Sequence, residues 1–129
     1  MTRLVPLQAL RFTQLAISPF FKNGQALDEL VQEIVADPDY IRGTLRPIRV
    51  VRIRNGFKSL DNRRLACLVV ASCFLNRHLR VPVYVQKFRS LSRFQKCKFM
   101  AARWQACRHV RIRRCADILG KRSRVVRMK

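Results

Sequence analysis

The sequence predicts an α+β protein: a small mixed β-sheet with packed helices, continued by a basic C-terminal helical extension. Three observations predict it. Residues 25–36 and the stretch from Asp61 to about Leu75 carry apolar residues at helical spacing. Short alternating or apolar runs at 9–14, 46–54, 57–60 and 81–86 fall between and around them and have the length of strands. A chain of 129 residues, 49% hydrophobic and 27% charged, can bury one core and is not a disordered polar chain.

Taken in order, Ala9-Leu10-Arg11-Phe12-Thr13-Gln14 alternates apolar and polar and reads as a short strand. Ser18-Pro19 and Asn23-Gly24 bracket a turn. In 25–36 the apolar set is Ala26, Leu27, Leu30, Val31, Ile34 and Val35, with Asp28, Glu29 and Glu33 on the outer face. Acids in the first turn suit the helix dipole, and Asp37-Pro38 ends the helix. In 46–54, Ile48, Val50 and Ile53 point inward between arginines. The alternation slips at Val51, which calls for a bulge or for burial on both faces. Asn55-Gly56 is the strongest hairpin signal in the chain, with 57–60 as the return strand. Asp61 is placed as the N-cap of the next helix, which runs through Leu65, Leu68, Val69 and Ser72. The strand 81–86 follows, and Pro82 argues for an edge position or a strand start.

Charge is the outlier of the composition. There are 28 Lys+Arg against 7 Asp+Glu, a formal net charge of +21. Such a chain repels itself unless a polyanion neutralises it; nucleic acid is the first class of partner this suggests and anionic membrane the second. Five acids lie within residues 28–39, and from residue 40 onward only Asp61 and Asp117 remain against 25 bases. Arginine outnumbers lysine 21 to 7, which suits planar phosphate contacts, although codon bias in a GC-rich genome produces the same count. Cys67, Cys73, Cys97, Cys107 and Cys115 form no CxxC pair. Cys67 and Cys73 read as small buried hydrophobes, and a reducing, intracellular compartment is expected (cytoplasm, nucleoid or nucleus, or an organelle). The apolar run near Leu65–Leu75 is too short to cross a bilayer, which takes roughly 20 residues. The basic N-terminus is read as part of the fold, with a transit peptide as the lesser alternative because Pro6 and Pro19 interrupt a helix.

The order strand, helix, strand, Asn-Gly hairpin, strand, helix, strand resembles the ParB/sulfiredoxin-like superfamily over about residues 9–86. The resemblance rests on Arg46-Pro47-Ile48-Arg49-Val50, on Ser59-Leu60-Asp61-Asn62-Arg63-Arg64-Leu65 and on Val81-Pro82-Val83-Tyr84-Val85. It implies residues 1–86 as a ParB/sulfiredoxin-like domain; the composition and spacing of 87–129 read as a basic helical extension whose last nine residues are expected to be disordered. It also implies a phosphate or nucleotide site at the turn into the second long helix, with Arg63 and Arg64 as phosphate ligands, Asp61 and Asn62 shaping the turn and Arg46 beside it. A helix N-terminus favours an anion, and arginines in a first turn oppose the dipole unless an anion lies between them. Asp61 and Asn62 stand where ParB-like members carry Gly followed by His, Glu or Gln. No Cys lies where sulfiredoxins carry their nucleophile, which sets sulfiredoxin chemistry aside.

In the tail, 15 of the 28 bases occur against the single acid Asp117. Leu91, Phe94, Cys97, Ala101, Trp104 and Arg108 lie three or four apart, which predicts a basic amphipathic helix, followed by a second ending at Leu119 before Gly120. Phe94 and Trp104 are expected to pack inward, leaving Lys96, Arg103, Arg111, Arg113 and Arg114 on a solvated face that binds nucleic-acid backbone without reading sequence. His78 and His109 have no acid or Cys at ligand spacing. The expected function is a non-enzymatic phosphate- and nucleic-acid-binding module. The alternatives are a ParB-like nucleotidase or nuclease acting at Asp61–Arg64, and a scaffold with a vestigial pocket. No resident cofactor or metal is expected; a bound nucleotide, with magnesium, belongs to the enzymatic alternative.

Overall fold

The computed structural model describes residues 2–13, 16–101, 109–112 and 124–127. The strands are β1 (Thr2–Pro6), β2 (Leu10–Arg11), β3 (Ala16–Ile17), β4 (Ile48–Ile53), β5 (Gly56–Ser59), β6 (Arg80–Gln86), β7 (His109–Ile112) and β8 (Arg124–Arg127). The helices are α1 (Leu27–Ala36), α2 (Tyr40–Gly43), α3 (Asn62–Leu75) and α4 (Arg93–Ala101). Five strands form a mixed sheet in the order β1-β6-β4-β5-β2, and β3-β7-β8 form a second, three-stranded sheet. The protein is therefore α+β, as the alternation of periodicities predicts.

The five-stranded sheet has two unlike faces, and residue parity explains them. In β4, Ile48 and Val50 are fully buried in the main core with Val81 and Val83 of β6 and Leu65, Leu68 and Val69 of α3. α1 adds Leu27, Leu30, Val31 and Ile34 to that core, and its acids Asp28, Glu29 and Glu33 are exposed. The opposite parity of β4 places Arg49 and Val51 on the outer face. There Val51 is buried with Leu60 and with Leu91, which precedes α4, in a small separate cluster. Val50 and Val51 are thus both buried because each faces a different layer. The β4–β5 register runs without interruption from Val50↔Ser59 to Ile53↔Gly56, so the slip at Val51 reflects burial on both faces and not a bulge.

The hairpin sits one residue earlier than an Asn-Gly turn would place it. Arg54 and Asn55 form the loop, and Gly56 opens β5 with φ +135°. A Cβ there would lie 2.4 Å from the Ala9 carbonyl oxygen, so glycine is required by both backbone conformation and close approach.

Several expectations are corrected. The strand expected at 9–14 contributes only Leu10–Arg11 to the sheet, with Phe12 and Thr13 buried beyond it. β6 is an interior strand, because β1 pairs along one side of it; its ladder with β4 begins at Val83, one residue beyond Pro82. The tail is not wholly helical. Residues 109–112 and 124–127 pair as antiparallel strands, and β7 also pairs in parallel with β3. Val110, Ile112 and Val126 join the main core, and 124–127 form a strand. The alternation in His109-Val110-Arg111-Ile112 is a strand pattern that the longer helical spacing overrode. Phe94 is 78% exposed and does not pack inward. Cys73 is exposed as well, since six residues from buried Cys67 is a rotation of about 240° around the helix. The expected second helix to Leu119, Trp104, Cys107 and Cys115 lie outside the described residues. Among the described residues, no helix is long and apolar enough to cross a membrane.

Candidate functional site

The turn from β5 into α3 is tied to the N-terminal segment by a closed set of hydrogen bonds. The Thr13 amide donates to Asn62 Oδ1 at 2.8 Å, Asn62 Nδ2 donates to Thr13 Oγ1 at 2.8 Å, and Thr13 Oγ1 donates to the Ser59 carbonyl at 2.6 Å. Thr13, Ser59 and Asn62 are all buried. Buried polar groups are stable when they satisfy one another in this way. Asn62 therefore shapes the turn, as expected, but its amide is spent inside the protein and cannot reach a ligand.

Asp61 precedes the first residue of α3, but its side chain makes no capping bond to the helix. It turns toward β4 instead. Its Oδ2 accepts from the Arg49 amide at 2.8 Å, and its Oδ1 accepts from Arg49 Nη2 at 2.7 Å. Arg64 Nη2 lies 2.7 Å from Oδ2 on the other side. Arg64 Nη1 also donates to the Arg46 carbonyl at 2.8 Å. Burial acts to raise the Asp61 carboxyl, but the bonds from the Arg49 side chain and amide and the charges of Arg64 and Arg49 outweigh it, and the carboxyl is held below its ordinary value. The Arg64 guanidinium is depressed by burial first; Asp61 opposes this, and the neighbouring charges of Arg49 and Arg46 add to it. The Arg49 and Arg64 guanidiniums thus share one carboxylate, and the charge of Arg46 bears on Arg64. The Arg49 side chain remains 45% exposed and Arg46 is exposed.

Arg63 goes elsewhere. Its Nη1 donates to the Phe20 carbonyl at 2.8 Å, and its guanidinium lies over the Phe21 ring at 5.9 Å. Adjacent residues of a helix point about 100° apart, so Arg63 and Arg64 do not face one ligand. The structure brings Arg46, Asp61 and Arg64 together, adds Arg49, and leaves Arg63 out. Arg49 was legible only as an arginine on a strand; its pairing with Asp61 depends on the register that sets Leu60 N against the Arg49 carbonyl at 2.8 Å.

Of the tail residues, Lys96 lies on α4 with its ammonium 5.8 Å from the centre of the Phe88 ring. Arg111 lies in β7, a strand and not a helix. Arg103, Arg113 and Arg114 lie outside the described residues. Gln8 Nε2 contacts His78 Nδ1 beside a cavity of about 200 Å³ lined by Ser72, Asn76 and Arg77. Among the described residues, no group of three His, Cys, Asp or Glu side chains is placed to hold a metal ion.

The outer face of the large sheet carries residues that periodicity did not single out. Tyr84 of β6 pairs in register with Arg49 of β4 and with Thr2 of β1. Tyr84 and, beside it, Leu4 are about two-fifths exposed. The alternation in Val81–Gln86 already puts Tyr84 on the face opposite Val83; that it stays 43% exposed required the tertiary structure. No family model, curated protein or solved structure matches the chain.

Proposed function

We propose that this protein is a non-enzymatic module that binds phosphate groups of nucleic acid through an arginine-rich surface, without reading sequence. The observation that carries this reading is the Asp61 carboxylate shared by the Arg49 and Arg64 guanidiniums, with Arg46 next to them accepting from Arg64 through its carbonyl and adding its charge; Arg46 and Arg49 are open to solvent. Guanidinium groups make planar, bidentate contacts to phosphate. The cluster lies in a chain of formal charge +21. The non-enzymatic reading is supported by Asp61 itself: a carboxylate engaged by two guanidiniums and held below its ordinary pKa is a poor general base. A ParB/sulfiredoxin-like fold is part of the same proposal, supported by the element order β2, α1, β4, β5, α3, β6 and by the place of the arginines at the start of α3.

The test is a salt titration of binding to a labelled 20-base-pair duplex. Affinity should fall by about 10²-fold or more between 50 and 200 mM salt, as counterion release by several phosphate contacts requires. Arg46→Ala should lower the slope of log affinity against log salt by about one. Affinity that does not change with salt would refute the reading.

A further inference from the structure

Resting on that reading, we propose that the uncovered half of the sheet's outer face is a stacking platform for single-stranded nucleic acid, with the Tyr84 ring as the base contact and Arg49 as the neighbouring phosphate contact. The connection after β6 divides this face in two. Leu91 closes over Val51 and Leu60, and all three are buried. The row beside them, Thr2–Tyr84–Arg49, is left open. Tyr84 is 43% exposed, Leu4 is 42% exposed and the Arg49 side chain is 45% exposed. An aromatic ring standing on a sheet beside a guanidinium is the arrangement that stacks unpaired bases while holding the backbone. Phe88, 40% exposed with the Lys96 ammonium 5.8 Å from its ring centre, repeats the pairing of ring and cation after β6.

Charge selects this occupant over the others. The exposed acids of α1 belong to the helical layer on the other side of the sheet, since α1 shares the main core with α3 and with the inner residues of β4 and β6. Among the described residues, the acid beside the platform is Asp61, whose side chain is 10% exposed and already bound by Arg49 and Arg64. A second copy of the chain would bring another formal charge of +21 against the first. A single strand offers negative backbone and apolar base faces together. A duplex hides its base faces, so it reaches the arginines and not the ring.

The experiment measures binding of the full chain to fluorescent 12-mers of oligo-dT and oligo-U and to a duplex of the same length, at one salt concentration. Tyr84→Ala should weaken single-strand binding by about 5- to 150-fold, the range for loss of one stacked base. Tyr84→Phe should retain it, and duplex binding should change less than twofold in either variant. Tyr84→Thr, which keeps strand propensity and lacks the ring, should behave as Tyr84→Ala, and circular dichroism reports whether each variant is folded. Equal single-strand affinity for wild type and the ring-less variants would overturn the platform while leaving backbone binding intact. Loss of affinity for both strands and duplex in a folded Tyr84→Ala would also overturn it, since a ring that touches only bases cannot govern duplex binding. Absence of salt-dependent binding to any of the three probes in the wild type would overturn both proposals. A dimer that Tyr84→Ala converts to monomer would replace the platform by a contact between copies. The ratio of oligo-dT to oligo-U affinity separates a DNA from an RNA preference.

Discussion

Asp61 shows how much one side chain can decide. It accepts bonds from the Arg49 amide, the Arg49 guanidinium and the Arg64 guanidinium, so it joins β4 to the start of α3. Replacing it by Ala should lower the unfolding free energy by about 2 kcal/mol, in the range for a charged hydrogen-bonded group, read from urea denaturation. If the arginines bind phosphate, Asp61→Ala should at the same time tighten binding to nucleic acid, because their internal anion is gone. Weaker binding by a folded variant would count against the arginine cluster as the site. The pH dependence has a definite sign. The carboxyl is depressed in the folded state, so its contribution is full above the unfolded value of about 3.9 and is lost as pH falls through the lower folded value. Acid unfolding of Asp61→Ala should accordingly be shallower than that of wild type below about pH 4. Gly56 is the other decisive residue. Gly56→Ala meets both a positive φ and the Ala9 carbonyl, and should lower stability by about 2 kcal/mol or more in the same denaturation experiment.

Elements were legible where a single periodicity ran long enough. The pattern in 25–36 is an uninterrupted helical stripe, and α1 begins at Leu27 and ends at Ala36 before Asp37-Pro38. β4 was legible as a strand, and its irregularity at Val51 became meaningful once Leu91 was seen over the outer face. Leu91→Ala should open that small cluster, at a loss of about 2 kcal/mol in thermal or urea unfolding, the low end for a buried leucine because few neighbours share the site. β1 and β8 were not legible. Each is four or five residues long with basic side chains among the apolar ones, and each is defined by the strand it pairs with. Edge strands of this kind receive their conformation from the ladder they join and carry little signal of their own.

At the scale of the molecule, the acids of α1 are set apart from the outer sheet face, although bases occur on both sides of the sheet, Arg63 and Arg64 on α3 among them. The exposed acids of α1 occupy the helical side, while Arg49 and its neighbours occupy the outer sheet face. That separation needs both the clustering of acids in 28–39 and a fold that sends α1 to the inner side of the sheet. The tail is integral to the same body. Val110, Ile112 and Val126 lie in the main core, and β7 pairs with β3. A chain ending at Gln86 would lose these residues and leave β3 unpaired. It should unfold at markedly lower denaturant concentration than the full chain, or without a cooperative transition, as followed by circular dichroism.

Residue order alone determined the α+β class, the places of α1 and α3, the hairpin within a residue, and the concentration of arginine near the start of α3. These rest on local periodicity and on turn chemistry, which act over a few residues and are written along the chain. The tertiary structure alone decided that Arg63 turns to Phe20 while Arg64 turns to Asp61, that Arg49 completes the cluster, that the tail returns as strands to the core, and that Tyr84 stays exposed. The physical reason is register: partners such as Arg49 and Asp61, or Tyr84 and Arg49, are distant in sequence and meet only because backbone hydrogen bonds set one strand against another, and no local pattern encodes that alignment.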